Sequence, residues 1–396
     1  MTNLLFLAHR VPYPPDRGDK IRSYQVLRHL AQRARVHLIA FADDPADEVA
    51  APELTALTAS CTIVPRRKGR VSATLEALTG GRAVSLTAFD HPAMHAAVAA
   101  APPVDATYCF SGQMAQYLPM AGPPAFMDFV DVDSAKFADL ATRRSPLRRL
   151  YAREARLLGA WEQAVSRRVA ASLFVTAAEA ELFEARGGGG RVTVVENGID
   201  AAHFDPTATF ARPDETGPLI VFTGQMDYAP NVQAVRWFAR AVFPALLARH
   251  PTARFAIVGR APTPTVKLLA RQPGVLVTGE VPDVRPWLAA AAVCVAPLRL
   301  ARGVQNKVLE AMAMARPVIA SPQAAEGIDH QGTIFVAGGD PRRWVAAVNA
   351  ILDTPVGTDP IGARARAQVL RRYDWAARLA PLDGLLGLEL AKRAAA

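Results

Sequence analysis

The sequence predicts an α/β protein built from two Rossmann-like halves, each a doubly wound parallel sheet. Three observations predict it. Short apolar runs alternate with helix-period segments from end to end. The runs are apolar throughout, as strands are when both sheet faces are covered. The alternation lapses once, over residues 201–217, and then restarts, so the 396 residues divide into two cores.

In the first half, strands are expected at residues 4–8, 36–41, 62–64, 106–110, 125–130, 172–175 and 192–195. A Pro/Gly loop, 9–19, leads to a helix carrying Ile21, Tyr24, Leu27, Leu30 and Ala31 on one face. Residues 145–171 read as one long helix, with Ser145 as N-cap, Pro146 in its first turn, and Leu147, Leu150, Leu158, Trp161 and Val165 inward. A helix at 177–185 follows, and the four glycines 187–190 read as a flexible connection. Residues 201–217, rich in Pro, Thr, Asp and Ala, read as a linker.

The second half offers strands at 219–222, 255–258, 275–277, 292–296, 318–321 and 333–336. Pro230 opens a long helix with Val235, Phe238, Val242 and Leu246 inward; helices at 341–352, 361–373 and 375–393 close the chain. The expected domains are 1–205, 206–374 and a C-terminal helix, 375–396, that packs back toward the first domain.

Composition narrows the function. Hydrophobic residues make up 51% and charged ones 20%, which excludes a disordered chain. Cys61, Cys109 and Cys294 are isolated and set in apolar stretches, so buried free thiols are expected. The longest uncharged apolar run, 287–298, has 12 residues, too few to span a bilayer, and no signal peptide is expected at the N-terminus. The protein is expected in the cytoplasm. A net charge of +9 favours a polyanionic partner: phosphorylated small molecules, anionic lipid or nucleic acid.

Ligands of such sheets bind beyond the carboxyl ends of the strands. The most informative stretch is residues 296–313, where an apolar strand runs through a Gly-containing loop into a helix near Gln305, a geometry that offers a helix N-terminus to an anion. Lys307 and Glu310 lie three apart on this helix: either a solvated ion pair, or a cation for an anion beside a carboxylate for two ribose hydroxyls.

These elements resemble the glycosyltransferases of family 4 (glycosyl transferases group 1), which have the GT-B fold. The matching stretches are 194–200 (VVENGID), like "vipNGvD"; 221–224 (VFTG), like "fvGr"; 256–259 (AIVG), like "lvGdG"; 307–321 (KVLEAMAMARPVIAS), like "kvlEAMAxGxPVIAs"; and 325–327 (AEG). The similarity runs through nearly the whole chain in order. Within the group, residues 9–20 (HRVPYPPDRGDK) and 302–307 (RGVQNK) are most like the bacterial exopolysaccharide and PEP-CTERM-associated sugar transferases.

The resemblance implies two Rossmann-like domains facing a cleft, a UDP- or GDP-sugar as donor, no tightly bound cofactor and no required metal. It also implies transfer with retention to a glycan or polyprenyl-linked acceptor in surface polysaccharide synthesis, at the inner membrane face. The donor would be held by Gly224, Gln225, Gly259, Arg302, Gly303, Val304, Asn306, Lys307 and Glu310, with Glu310 on the ribose. Lys307, Gly18 and Asp131 are the candidate residues at the reaction centre.

Three positions depart from the pattern. Arg302 stands where the first of two glutamates is usual, and Gln225 and Pro230 replace the Arg and Lys that usually hold the diphosphate. Arg302 and Lys307, with backbone N–H groups from Gly303 onward, are expected to take over that task. Asp128, Asp131 and Asp133 cluster after a strand; Asp131 is either an acceptor-side carboxylate or part of a solvated loop. The Arg-rich segment 145–168 is a solvated face or a surface for anionic lipid; nucleic acid, without a stacking or recognition motif, is not expected. An epimerase or phosphorylase of the same fold, or a binding module without transfer activity, are the alternative readings.

Overall fold

The computed structural model describes residues 2–15, 18–43, 45–47, 52–142, 146–211, 213–215, 217–301, 304–354 and 360–388. The chain forms two compact units. One holds the described residues up to Asn197 and those from Arg378 on; the other is Gly198–Ala377. The change of unit falls after Asn197.

The first unit contains β1 (Asn3–Ala8), β2 (Arg35–Ala42), β3 (Ser60–Pro65), β4 (Ala106–Phe110), β5 (Ala125–Val130), β6 (Ala171–Phe174) and β7 (Val192–Val194). They form a seven-stranded sheet in the order β3-β2-β1-β4-β5-β6-β7, with every pairing parallel. The order reverses direction between β1 and β4, so that is where this unit opens a crevice at its strand ends.

The helix Gly18–Ala31 buries Leu27 and Leu30 as expected, with Val26, and takes polar residues into the same buried face. Ile21 is exposed, while Arg22, Gln25 and His29 are buried. Arg22 Nε donates to Asp128 at 2.9 Å, Tyr108 Oη donates to the same carboxylate at 2.6 Å, and Arg22 Nη1 donates to Val195 O and Asn197 Oδ1. His29 and Arg33 both meet Asp383, at 2.7 and 2.9 Å.

The expected long helix is shorter than the sequence suggests. It runs Arg148–Ser166, with Leu147 at its N-cap and exposed; Pro146 lies outside it, and Ser145 is outside the described residues. Two of its buried residues are glutamates. Glu154 accepts from Val84 and Ser85 N–H, and Glu162 from Ser134 N–H and Oγ, so each caps the start of a neighbouring helix. The glycines 187–190 are not a free connection: a Cβ on Gly188 would lie 2.2 Å from the Phe183 ring and one on Gly190 2.6 Å from Ser166 O, so these two allow close packing.

The second unit contains β8 (Leu219–Thr223), β9 (Arg254–Val258), β10 (Val275–Gly279), β11 (Ala291–Ala296), β12 (Val318–Ala320) and β13 (Phe335–Val336). Their order is β10-β9-β8-β11-β12-β13, again all parallel, with the reversal between β8 and β11. Trp344, Phe238 and Phe255 fill the core beside the sheet, and each such ring contributes about 1.5–3 kcal/mol on burial. The helix opened by Pro230 is interrupted: Ala229–Trp237 passes through a π-helical turn, Phe238–Val242, into Phe243–Arg249. Pro244 has no N–H to give the Arg240 carbonyl, and the ladder slips by one residue there.

The expected linker is part of this unit. Phe204 and Phe210 pack against its core, and Arg366 and Arg285 donate to Phe204 O and His203 O. Of the thiols, Cys109 and Cys294 are buried, and burial pushes Cys294 up to about 12; Cys61 is only half-buried.

Candidate functional site

In the second unit the strands next to the reversal end in turns that touch backbone to backbone. After β8 the chain turns at Gly224 with φ 151°, and after β9 at Gly259 with φ 147°. Gly224 N–H donates to Val258 O at 3.0 Å, and a Cβ on Gly259 would lie 1.8 Å from Gly224 O. Only glycine fits such a crossing.

The helix Asn306–Ala313 brings Lys307 to this crossing from the other side of the reversal. Its buried face, Val308, Leu309, Ala311 and Met312, fixes the rotation that presents Lys307 and Glu310. Lys307 Nζ donates to Asn231 Oδ1 at 2.6 Å and lies 4.4 Å from the centre of the Phe222 ring. It is also 3.1 Å from where a Gly224 Cβ would be, in the gap that this glycine leaves open. The buried Asn231 is itself set by donating Nδ2 to Gln225 O at 2.9 Å.

Among the described residues, no carboxylate makes an ion pair with Lys307, and the Glu310 carboxylate accepts no hydrogen bond. Burial pulls Lys307 down to about 8 and pushes Glu310 up to about 7, each opposed by the charge of the other. A cation held at a helix N-terminus without a counter-ion, beside open backbone, is a site prepared for an anion.

Of the other expected residues, Asn306 is the exposed first residue of the helix, and Val304 packs against the core. Gln225 is exposed and accepts at Oε1 from Arg260 Nη2 at 3.1 Å. Arg302 and Gly303 lie outside the described residues. Sequence reasoning missed Asn231 and Arg260. Arg260 directly follows Gly259, and that adjacency is the signal for a cation beside the first turn.

Gly18 and Asp131 belong to the first unit. Gly18 is the first residue of its helix, and among the described residues nothing lies within 4 Å of the Cβ it lacks, so space is open on that side. Asp131 pairs with Lys136 at 2.9 Å just beyond β5. The β1/β4 reversal instead gathers a cluster in which residues of the 9–20 stretch meet Asp43 and Arg66, two residues that the sequence did not single out. His9 meets Asp19 at 3.2 Å, Arg10 bridges Asp19 and Asp43 at 2.6 Å each, and Arg66 joins Asp43 at 2.6 Å. Burial lowers the His9 pKa, and Asp19 is held well below the usual carboxylate range by its bonds to His9 and Arg10. Among the described residues, no group of three or more His, Cys, Asp and Glu could hold a metal ion.

Residues 217–354 match the family model described as Glycosyl transferases group 1. No curated protein matches the chain in sequence. Among solved structures, sucrose-phosphate synthase from Thermosynechococcus elongatus is similar over 97% of this chain and 98% of its own, with TM-score 0.61 and 18% identity. Anabaena HepE in complex with UDP and glucose is similar over 98% and 100%, with TM-score 0.61 and 17% identity. WaaG, a glycosyltransferase involved in lipopolysaccharide biosynthesis, is similar over 97% and 100%, with TM-score 0.62 and 15% identity. At these identities the likeness establishes the fold, GT-B. With a glycosyl transferases group 1 domain over residues 217–354 on that fold, the chain is a glycosyltransferase.

Proposed function

We propose that the protein transfers a sugar, with retention, from a UDP- or GDP-sugar to a glycan or polyprenyl-linked acceptor in bacterial exopolysaccharide synthesis. The observation that carries this reading is the Lys307 ammonium, held by Asn231 against the Gly224–Gly259 crossing without a carboxylate partner among the described residues. Its chemistry suits a diphosphate, whose negative charge grows as the sugar departs. Lys307 and Arg260 would stand in for the cations absent at Gln225 and Pro230, Arg302 would add a third, and Glu310 would accept from the ribose hydroxyls. The UDP and glucose bound by Anabaena HepE support a nucleotide-sugar donor.

The acceptor would meet the first unit, where Asp131 and the open backbone at Gly18 are the proposed contacts. No tightly bound cofactor and no metal are needed in this reading. The protein would work at the inner membrane face, with the basic helix Arg148–Ser166 toward anionic lipid.

Purified protein incubated with UDP-, GDP- and ADP-sugars, with and without membrane extract, tests the reading through nucleotide release and thermal stability. A stability shift from one diphosphate, with release only when extract is added, is expected. Lys307→Ala should weaken binding of that diphosphate by roughly tenfold or more. Unchanged affinity in this variant overturns the assignment of Lys307, an isomerised sugar product indicates an epimerase, and a stability shift without turnover indicates a binding module.

A further inference from the structure

The helix Arg70–Thr79 in the first unit turns its apolar side outward. Val71 is 85% exposed, Leu75 66% and Leu78 50%. At positions i, i+4 and i+7 they form one stripe, whereas among the described residues of the helix Ala73 and Ala77 alone are buried, on its other side. Singly exposed aliphatic residues are ordinary on a protein surface, but three in register on one helix face are a surface made for a partner.

The surroundings identify the partner by charge. Residues 66–82 carry Arg66, Arg67, Lys68, Arg70 and Arg82 with one acidic residue, Glu76; of these cations, Arg66, Lys68 and Arg82 pair with Asp43, Glu76 and Asp90. The helix Arg148–Ser166 is tied to this one where Arg153 Nη2 donates to Ala77 O at 2.8 Å. One turn before Arg153 stand the exposed Arg148 and Arg149, preceded by Leu147, 48% exposed. Among the described residues neither arginine has an ion-pair partner. An aliphatic stripe amid cations fits a bilayer of anionic lipid, where acyl chains take the apolar side chains and headgroups take the guanidinium groups. Among the described residues no helix is long and apolar enough to cross a membrane, so insertion would be from one side.

We propose that Val71, Leu75 and Leu78 insert into an anionic membrane surface, with Arg148 and Arg149 of the neighbouring helix meeting its headgroups. This deepens the reading of a membrane-side acceptor and rests on it for its purpose, but its test does not depend on donor or acceptor.

The test is co-sedimentation of the full chain with vesicles of phosphatidylcholine alone or mixed with phosphatidylglycerol. Binding to the mixed vesicles only is expected, with the triple variant V71S/L75S/L78S weaker by roughly tenfold or more. Leu75→Trp should bind more tightly than the parent once sedimentation without vesicles is subtracted, a gain that loss of the stripe cannot give. Thermal stabilisation by the nucleoside diphosphate, measured on the same triple variant, should be unchanged, which separates failure of this proposal from failure of the transferase reading. Equal binding by the triple variant, or no binding by the parent, overturns the proposal. So does a concentration-dependent dimer that the triple variant abolishes, which would assign the stripe to a second copy of the chain.

Discussion

Lys307 and Glu310 sit on one face of a single helix, and burial drives their pKa values toward each other, to about 8 and about 7. Lys307 loses its charge as pH rises through about 8 and Glu310 gains its charge as pH rises through about 7, so the range in which both are ionised is narrowed from both sides. If the ammonium holds a diphosphate and the carboxylate a ribose, affinity for the nucleoside diphosphate should peak there and fall on both sides. Calorimetric titration across this range checks it. Lys307→Arg, which stays charged, should remove the alkaline fall and leave the acidic one. An alkaline fall that persists in this variant assigns the loss to another group.

The same shifts make the empty site a source of instability. The folded pKa of Glu310 is raised above its ordinary 4.5, so its proton stabilises the fold at low pH, and that contribution is lost as pH rises to about 7. The folded pKa of Lys307 is lowered below its ordinary 10.5, so the fold gains stability as pH rises from about 8 toward that value. Glu310→Gln cannot ionise and should melt higher than the parent above pH 7, with the difference vanishing at acid pH. Melting curves of the ligand-free protein across this range provide the check, and a variant less stable at neutral pH contradicts the account. Stability given up where binding is best is what a preorganised charged site entails.

Ala315 ends the helix Asn306–Ala313 in the left-handed region, at φ 52°, where Arg316 N–H donates back to Ala311 O at 3.0 Å. Glycine occupies such a position without strain, whereas a Cβ there costs about 1 kcal/mol. Ala315→Gly should therefore raise stability, offset in part by the greater freedom glycine gives the unfolded chain. Denaturant unfolding measures the difference, and a loss of stability shows that the alanine methyl contributes more by packing than it costs in strain.

The two sheets were legible because their strands are apolar on both faces, and the Lys307–Glu310 helix because a charged pair interrupts an otherwise apolar periodic run. What the sequence hid was set by long-range polar contacts. Periodicity placed Ile21 in the core, but Arg22, which meets Asp128 across 106 positions of sequence, takes that side of the helix. Residues 201–217 read as a linker because Phe204 and Phe210 are too sparse to show a period, yet two rings and two arginines suffice to fix that stretch. Asn231 was hidden for a similar reason: one polar residue in a helical turn gains meaning only when Lys307, 76 positions away, is beside it.

The Arg22–Asp128 pair allows a last prediction. Both side chains are fully buried, and Arg22 also holds Val195 O and Asn197 Oδ1, where the first unit ends. Removing one partner leaves the other charge buried, so Arg22→Met and Asp128→Leu should each cost about 3–5 kcal/mol. The double variant leaves neither charge and should recover a large part of that loss, though not all, because the bonds to Val195 and Asn197 stay broken. Urea unfolding of the four proteins gives the coupling energy. Costs that simply add would mean that each residue acts through its other neighbours, Arg22 through the end of the unit and Asp128 through Tyr108. Strong coupling with incomplete recovery would place the pair at the centre of the network and make the hold on residues 195–197 its second contribution.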